Sequence, residues 1–175
     1  NFLDSEIDKA LSFIGLDISK HAVQAATRRN RETSWIVASN KSIPVLPDSV
    51  DIILCMFGFP SYTSFQRILK STGRIVLFDA GPSHLFELRE LIYPEIRESR
   101  EFDLSEIEQA GLVVEHEAVV NYQIKLDTND KIMQLLGMTP HLYRAPREGI
   151  ERVMALKEVT VTVDVIYRTL VNSKL

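Results

Sequence analysis

The sequence predicts an α/β fold, a doubly wound and mostly parallel sheet. Three observations carry this. Short apolar runs at 13–17, 34–38, 50–56 and 74–78 alternate with helix patterns and polar loops. Two of them, VDIILCM and RIVLF, are almost continuously apolar, as strands covered on both faces are. The acid Asp17 closes the first run directly before a helix start. There an open α/β sheet holds the ribose of a nucleotide-like cofactor.

In chain order, Asn1 to Leu11 has loosely helical spacing and reads as the end of a helix and a connection. Phe13 to Asp17 is a strand, and Ser19 caps a helix reaching about Asn30, closed by Arg28, Arg29 and Arg31 where cations suit the helix dipole. Ser34 to Ala38 is the next strand, and SNKSIPVLPDS, with two prolines, is a loop. Val50 to Met56 is a buried strand, FGFPSYT a loop, and Ser64 to Lys70 a helix. Ser71, Thr72 and Gly73 read as a turn before the strand Arg74 to Phe78, and a further helix starts near His84 and stops before Pro94. Ser105 and Glu108 have the spacing of a capping box for a short helix ending at Gly111. Leu112 to Leu126 and Lys157 to Leu170 are long β-rich strands, suited to an antiparallel pair at the sheet edge. Between them lie helices at 128–136 and from Pro146 to about Met154, where proline suits the first turn.

The totals bound the class. A chain of 175 residues, 45% hydrophobic and 25% charged, has the size and composition of one globular domain, or of one domain plus an appendage, and a single domain over 1–175 is expected. No apolar run approaches the ~20 residues of a membrane span. The first residues carry Asp4, Glu6 and Asp8 and no basic stretch, so no membrane partner and a cytoplasmic location are expected. Cys55 is the single cysteine, which excludes an internal disulfide and a multi-cysteine zinc site. His21, His84, His116 and His141 have no ligand-like spacing, so no metal is expected. The net charge of −4 gives no overall basic footprint for nucleic acid. No Gly-rich phosphate loop is present.

Ligands of such sheets bind at the carboxyl ends of the strands. Those ends are Asp17-Ile18, Ala38-Ser39-Asn40, Phe57 to Pro60, and Asp79 to His84. An acid, a small polar turn and an aromatic loop make a plausible nucleoside pocket. Asp17 follows an apolar strand directly, which favours ribose binding over the alternative of capping the following helix, and His84 can be a plain first-turn residue.

The blocks GLDISKHAV, VASNKSIPVLPDSVDIILCMF, LKSTGRIVLFDAGPSHLFELRELIY and LLGMTPHLYRA, in this order, resemble the class I S-adenosylmethionine-dependent methyltransferases. More narrowly they resemble the bacterial 23S ribosomal RNA (guanine-N1-)-methyltransferases, and GPSHLFELRELIY and MTPHLYRA carry the narrower likeness. The resemblance implies a Rossmann-like sheet, mostly parallel with an antiparallel last strand. It implies S-adenosyl-L-methionine as cofactor, held by Asp17, Ile18, Ser39, Asn40 and His84. It puts FGFP (Phe57 to Pro60) where related enzymes present the target base; Phe57, Phe59 and Tyr62 are then the candidate substrate-binding aromatics to stack on that base, or else they pack within the loop. It names no general base, for which Asp79 and His84 are candidates.

The departures matter too. Members carry a four-cysteine zinc module that grips ribosomal RNA, then a strand and a Gly-rich loop for the methionine end of the cofactor. Both are missing here. The resemblance therefore implies an incomplete domain lacking the first strand, with weakened cofactor binding and no activity alone. The absent strand falls between the strand ending at Asp17 and the strand Val50–Met56. A homodimer is a family expectation. A small-molecule methyltransferase of the same fold and a non-catalytic Rossmann-like binding module are the alternatives.

Overall fold

The computed structural model describes residues 11–96 and 102–173. The helix end expected over Asn1 to Leu11 lies almost wholly outside the described residues. The strands are β1 (Ile14–Asp17), β2 (Ser34–Val37), β3 (Val50–Met56), β4 (Leu69–Ala80), β5 (Leu112–Leu126) and β6 (Val159–Asn172). The helices are α1 (Lys20–Arg29), α2 (Tyr62–Ile68), α3 (Phe86–Ile92), α4 (Leu104–Gln109), α5 (Asn129–Gly137), α6 (His141–Arg144) and α7 (Arg147–Met154).

The sheet is in two parts. β1 and β2 pair in parallel, with Asp17 opposite Val37. The larger part has the order β3-β4-β6-β5: β3 and β4 are parallel, and β6 runs antiparallel to both β4 and β5. β5 therefore runs with β3 and β4, and their carboxyl ends share one edge of the sheet. Among the described residues no strand joins β1 to β3. The division falls where the resemblance puts a further strand. β3 consequently has an uncovered face, with Ile52, Leu54 and Met56 each more than 60% exposed. That is far from the two-sided burial its composition predicts.

Two cores hold the larger part. Phe65 and Ile68 of α2, Ile75 and Leu77 of β4, Ile107 of α4, Leu112 of β5 and Leu170 of β6 form the first. The second forms where β5 and β6 continue past the end of β4, whose last partner is Val165. There Leu88 and Ile92 of α3 meet Ile132 and Leu136 of α5, Val153 of α7 and Val161 of β6. Gly149 of α7 lies so close to the Ile92 carbonyl that any Cβ would overlap it.

Several boundaries differ from the sequence reading. β4 begins at Leu69 and runs through Ser71, Thr72 and Gly73, so the expected turn there is strand. Gly73 permits this because a Cβ would collide with the Leu69 side chain and the Asp51 carbonyl. α2 begins at Tyr62, before Ser64, and α3 begins at Phe86, after His84. α4 is capped by Asp103, whose carboxylate accepts the Ser105 amide, so Ser105 lies inside the helix. α6 has no counterpart in the sequence reading.

Candidate functional site

A cleft of about 530 Å³ opens between the two parts of the sheet. β1 supplies Asp17 and Ile18 at its carboxyl end, the turn after β2 supplies Ser39 and Asn40, and the loop after β3 supplies Phe59. Local chemistry builds each corner. Asp17 Oδ1 accepts the Ser19 amide at 2.7 Å, and Ser19 Oγ accepts the Ala22 amide at 3.2 Å. The acid thus turns the chain from β1 into α1, and its second carboxylate oxygen has no hydrogen-bond partner among the described residues. The capping role and an open acceptor oxygen coexist in one side chain. Ser39 Oγ accepts the Lys41 amide at 3.3 Å.

The two parts of the sheet are strapped together below this cleft. Asn40 Nδ2 donates to the Phe59 carbonyl at 2.9 Å, and Ser64 Oγ donates to the Lys41 carbonyl at 3.1 Å. Arg67 of α2 donates to the Val45 and Ile43 carbonyls at 3.0 and 2.6 Å. Asn40 therefore sets the height of the 57–60 loop against the β2 turn. Within that loop Phe59 is 88% exposed, while Phe57 takes a left-handed backbone, φ +49°, which a bulky residue rarely adopts.

The remaining predicted residues lie elsewhere. Tyr62 is buried in the first core, and burial beside Asp79 pushes its hydroxyl up to about 12, so its ring is not presented to a ligand. Cys55 is a buried residue on the β3 side of the cleft itself, and burial together with Asp79 raises its thiol. Asp79 accepts from Arg168 Nη1 at 3.2 Å. Burial raises its carboxyl and Arg168 partly offsets this. Arg168 is itself buried, donates through Nε to Glu117, and lies 3.6 Å from the centroid of Phe102. Asp79 is therefore half of an ion pair.

His84 is not among the residues lining the cleft. It stands in the turn after β4, where its ring faces Phe57 with centroids 5.6 Å apart and 30° between planes. Its Nδ1 accepts the Asp164 amide at 3.3 Å. Burial lowers its affinity for a proton. On the other side of this turn Tyr93 Oη and His141 Nδ1 are 3.0 Å apart, tying α6 to α3. Asp164, Arg168 and the Tyr93–His141 pair were not singled out in the sequence. The only signal for the first two is an acid and an arginine inside an otherwise β-branched run, KEVTVTVDVIYRTL.

A family profile described as a methyltransferase domain matches residues 3–77. Over 158 residues the chain is 27% identical to a Bacillus subtilis (strain 168) protein provisionally named 23S rRNA (guanine-N(1)-)-methyltransferase YxjB. That match covers 90% of this chain and 56% of the relative. Over 90 residues it is 28% identical to the demethylmenaquinone methyltransferase of Thermotoga maritima, covering 47% of this chain and 39% of that one. The chain thus spans only about half, or less, of the curated relatives it matches. Among solved structures, a Bacillus halodurans C-125 protein provisionally called a methyltransferase superposes with a TM-score of 0.57 at 16% identity, over 94% of this chain and 84% of that one. The fold is the Rossmann-like α/β fold of the class I methyltransferases, mostly parallel with antiparallel strands.

Proposed function

We propose that this chain is part of an S-adenosylmethionine-dependent methyltransferase acting on N1 of a guanine in 23S ribosomal RNA. The observation that carries the methyltransferase reading is the convergence of Asp17, Ile18, Ser39, Asn40 and Phe59 on one cleft at the carboxyl ends of the strands. The RNA acceptor is supported by the likeness to YxjB, which runs over 90% of this chain. A small-molecule acceptor has the support of the demethylmenaquinone methyltransferase match, which covers 47% of it.

The residues fit S-adenosylmethionine. The open oxygen of Asp17 is an acceptor for a ribose diol, Ile18 suits a purine face, and Ser39 and Asn40 offer polar edges. When bound, the cofactor supplies a methyl group already activated on a sulfonium. The protein's part is then to orient the acceptor in line with it and to let the guanine N1 proton leave. Asp79 does not line the cleft and its carboxylate is engaged by Arg168, so it is not placed to take that proton. Phe59, which lines the cleft, and Phe57 in the same loop are the aromatics that would meet a base taken out of its stack.

In this reading a four-cysteine zinc module elsewhere in the natural polypeptide grips the RNA, the enzyme works in the cytoplasm, and two copies pair. This chain alone binds the cofactor weakly and is inactive, because the cleft is bounded by two strand edges that are unpaired among the described residues. The test is methylation of ribosomal RNA by the natural polypeptide, with mass mapping of the modified nucleotide. Asp17→Asn in that protein is expected to weaken S-adenosylmethionine binding at least tenfold by calorimetry, for loss of a charge-assisted hydrogen bond worth about 1.5–3 kcal/mol. Unchanged binding would remove Asp17 from the site. No cofactor binding by the wild type would favour a non-catalytic module.

A further inference from the structure

The turn that carries His84 is more rigidly built than a loop connecting a strand to a helix needs to be. Asp164 of β6, 4% exposed, holds it from both ends of its own residue. Its carboxylate accepts the Ser83 amide at 2.9 Å and its carbonyl accepts the Gly81 amide at 2.9 Å. Gly81 is pressed so closely on that carboxylate that a Cβ would overlap it. The Leu85 amide donates to the Thr162 carbonyl at 2.8 Å, and Arg89 donates to the Pro82 carbonyl at 2.9 Å. Leu85 is held at φ +51° and Phe57 at φ +49°, so two bulky residues in the left-handed region flank the imidazole. Strain of this kind persists only where the surroundings enforce it.

The result is one oriented group. With Nδ1 accepting the Asp164 amide, the ring proton of neutral His84 resides on Nε2. Nε2 has no partner among the described residues, and the ring is braced on Phe57. It lies outside the cleft formed by Asp17, Ser39 and Asn40, on the side of Phe57.

We infer that His84 serves the acceptor base and not the cofactor: its Nε2–H donates to the carbonyl oxygen adjacent to the nitrogen that is methylated. This rests on the guanine reading above. As guanine N1 forms its bond to the methyl carbon and the S–CH3 bond breaks, the N1 proton passes to water. While that proton departs, negative charge accumulates on O6. A fixed neutral donor at O6 binds that developing charge more strongly than it binds the ground-state carbonyl, which is how an oxyanion-type donor accelerates a reaction. A neutral donor also spares the site a like charge beside the cationic sulfonium. His84 is then a catalytic residue acting as donor, with no role as base.

The natural polypeptide with His84→Phe keeps an aromatic ring beside Phe57 and removes the donor. His84→Gln keeps an N–H. Relative to wild type, His84→Phe is expected to lose about 10²–10³-fold in kcat, with S-adenosylmethionine affinity by calorimetry unchanged, and His84→Gln to recover part of the loss. RNA carrying 6-thioguanine at the target, a weaker acceptor at that position, is expected to slow the wild type and not His84→Phe. Retained cofactor affinity in each variant shows that it is folded. A His84→Phe variant that loses cofactor affinity while keeping kcat overturns the inference and returns His84 to the cofactor. Equal slowing of wild type and variant by the thio substitution also overturns it. A wild-type protein that methylates no guanine at N1 overturns the functional reading itself, and this inference with it.

Discussion

Arg168 shows how a single buried cation arranges its surroundings. It is 7% exposed at the side chain, whereas its partners Asp79 and Glu117 are 37% and 51% exposed. It also lies over Phe102. One guanidinium thus ties β4, β5 and the segment before α4 together at the top of the first core. Arg168→Met is expected to cost about 2–3 kcal/mol in urea denaturation, below the loss for a fully buried pair because both carboxylates reach water. An unchanged midpoint would show that the packing of Met offsets the lost pair. Gly81→Ala is a second residue-scale test. The new Cβ meets the Asp164 carboxylate, so a loss of about 1–3 kcal/mol is expected, together with displacement of Asp164 from the Ser83 amide visible in amide exchange.

At the scale of elements, the hydrophobic pattern alone located those whose caps and periods are local. β3 and β5 have the ends their apolar runs predict, and α7 starts directly after Pro146. Thr128 caps α5 by accepting the Lys131 amide at 3.3 Å. Replacing it with alanine is expected to cost about 1 kcal/mol, measured as a shift in the urea midpoint. What the pattern missed is set by distant partners. Gly73 reads as a turn until Leu69 and Asp51 are seen to press on it from within a continuous strand. Tyr62 reads as a loop aromatic, but α2 begins at that residue and turns the ring into the core. The site divided similarly. Asp17, Ile18, Ser39, Asn40 and Phe59 were legible because strand ends converge by topology. The bracing of His84 was not, because it comes from Asp164 and Thr162, some eighty residues away in sequence.

For the whole molecule, two half-buried imidazoles set a pH dependence. Burial pushes both His84 and His141 below their ordinary value, with Arg89 adding repulsion at each. Above the ordinary value of 6.5 both are neutral folded and unfolded, and neither affects stability. Below it the unfolded chain takes up protons before the folded one, so stability falls as the pH is lowered. Asp79, raised by burial, acts in the opposite sense but nearer its own ordinary value of 3.8. The urea midpoint is therefore expected to fall between about pH 7.5 and about pH 5.5, and to fall less when both histidines are glutamine. Equal falls would assign the effect to other groups. The division of the sheet acts at this scale too. Among the described residues the edges of β1 and β3 are unpaired and Ile52, Leu54 and Met56 are exposed, so this chain on its own is expected to be prone to edge-to-edge association. Concentration-dependent sedimentation is the check.

The overhang of β5 and β6 beyond β4 has a consequence in time. β6 contributes Leu170 to one core and Val161 to the other, and it is the last of the described elements to be synthesised. Neither core can close until that strand has left the ribosome and threaded between β4 and β5. Until then β4 and β5 each wait with an edge that only β6 can pair. The decisive step of folding therefore waits on β6, and a nascent chain stalled short of Val159 is the species that most needs a chaperone.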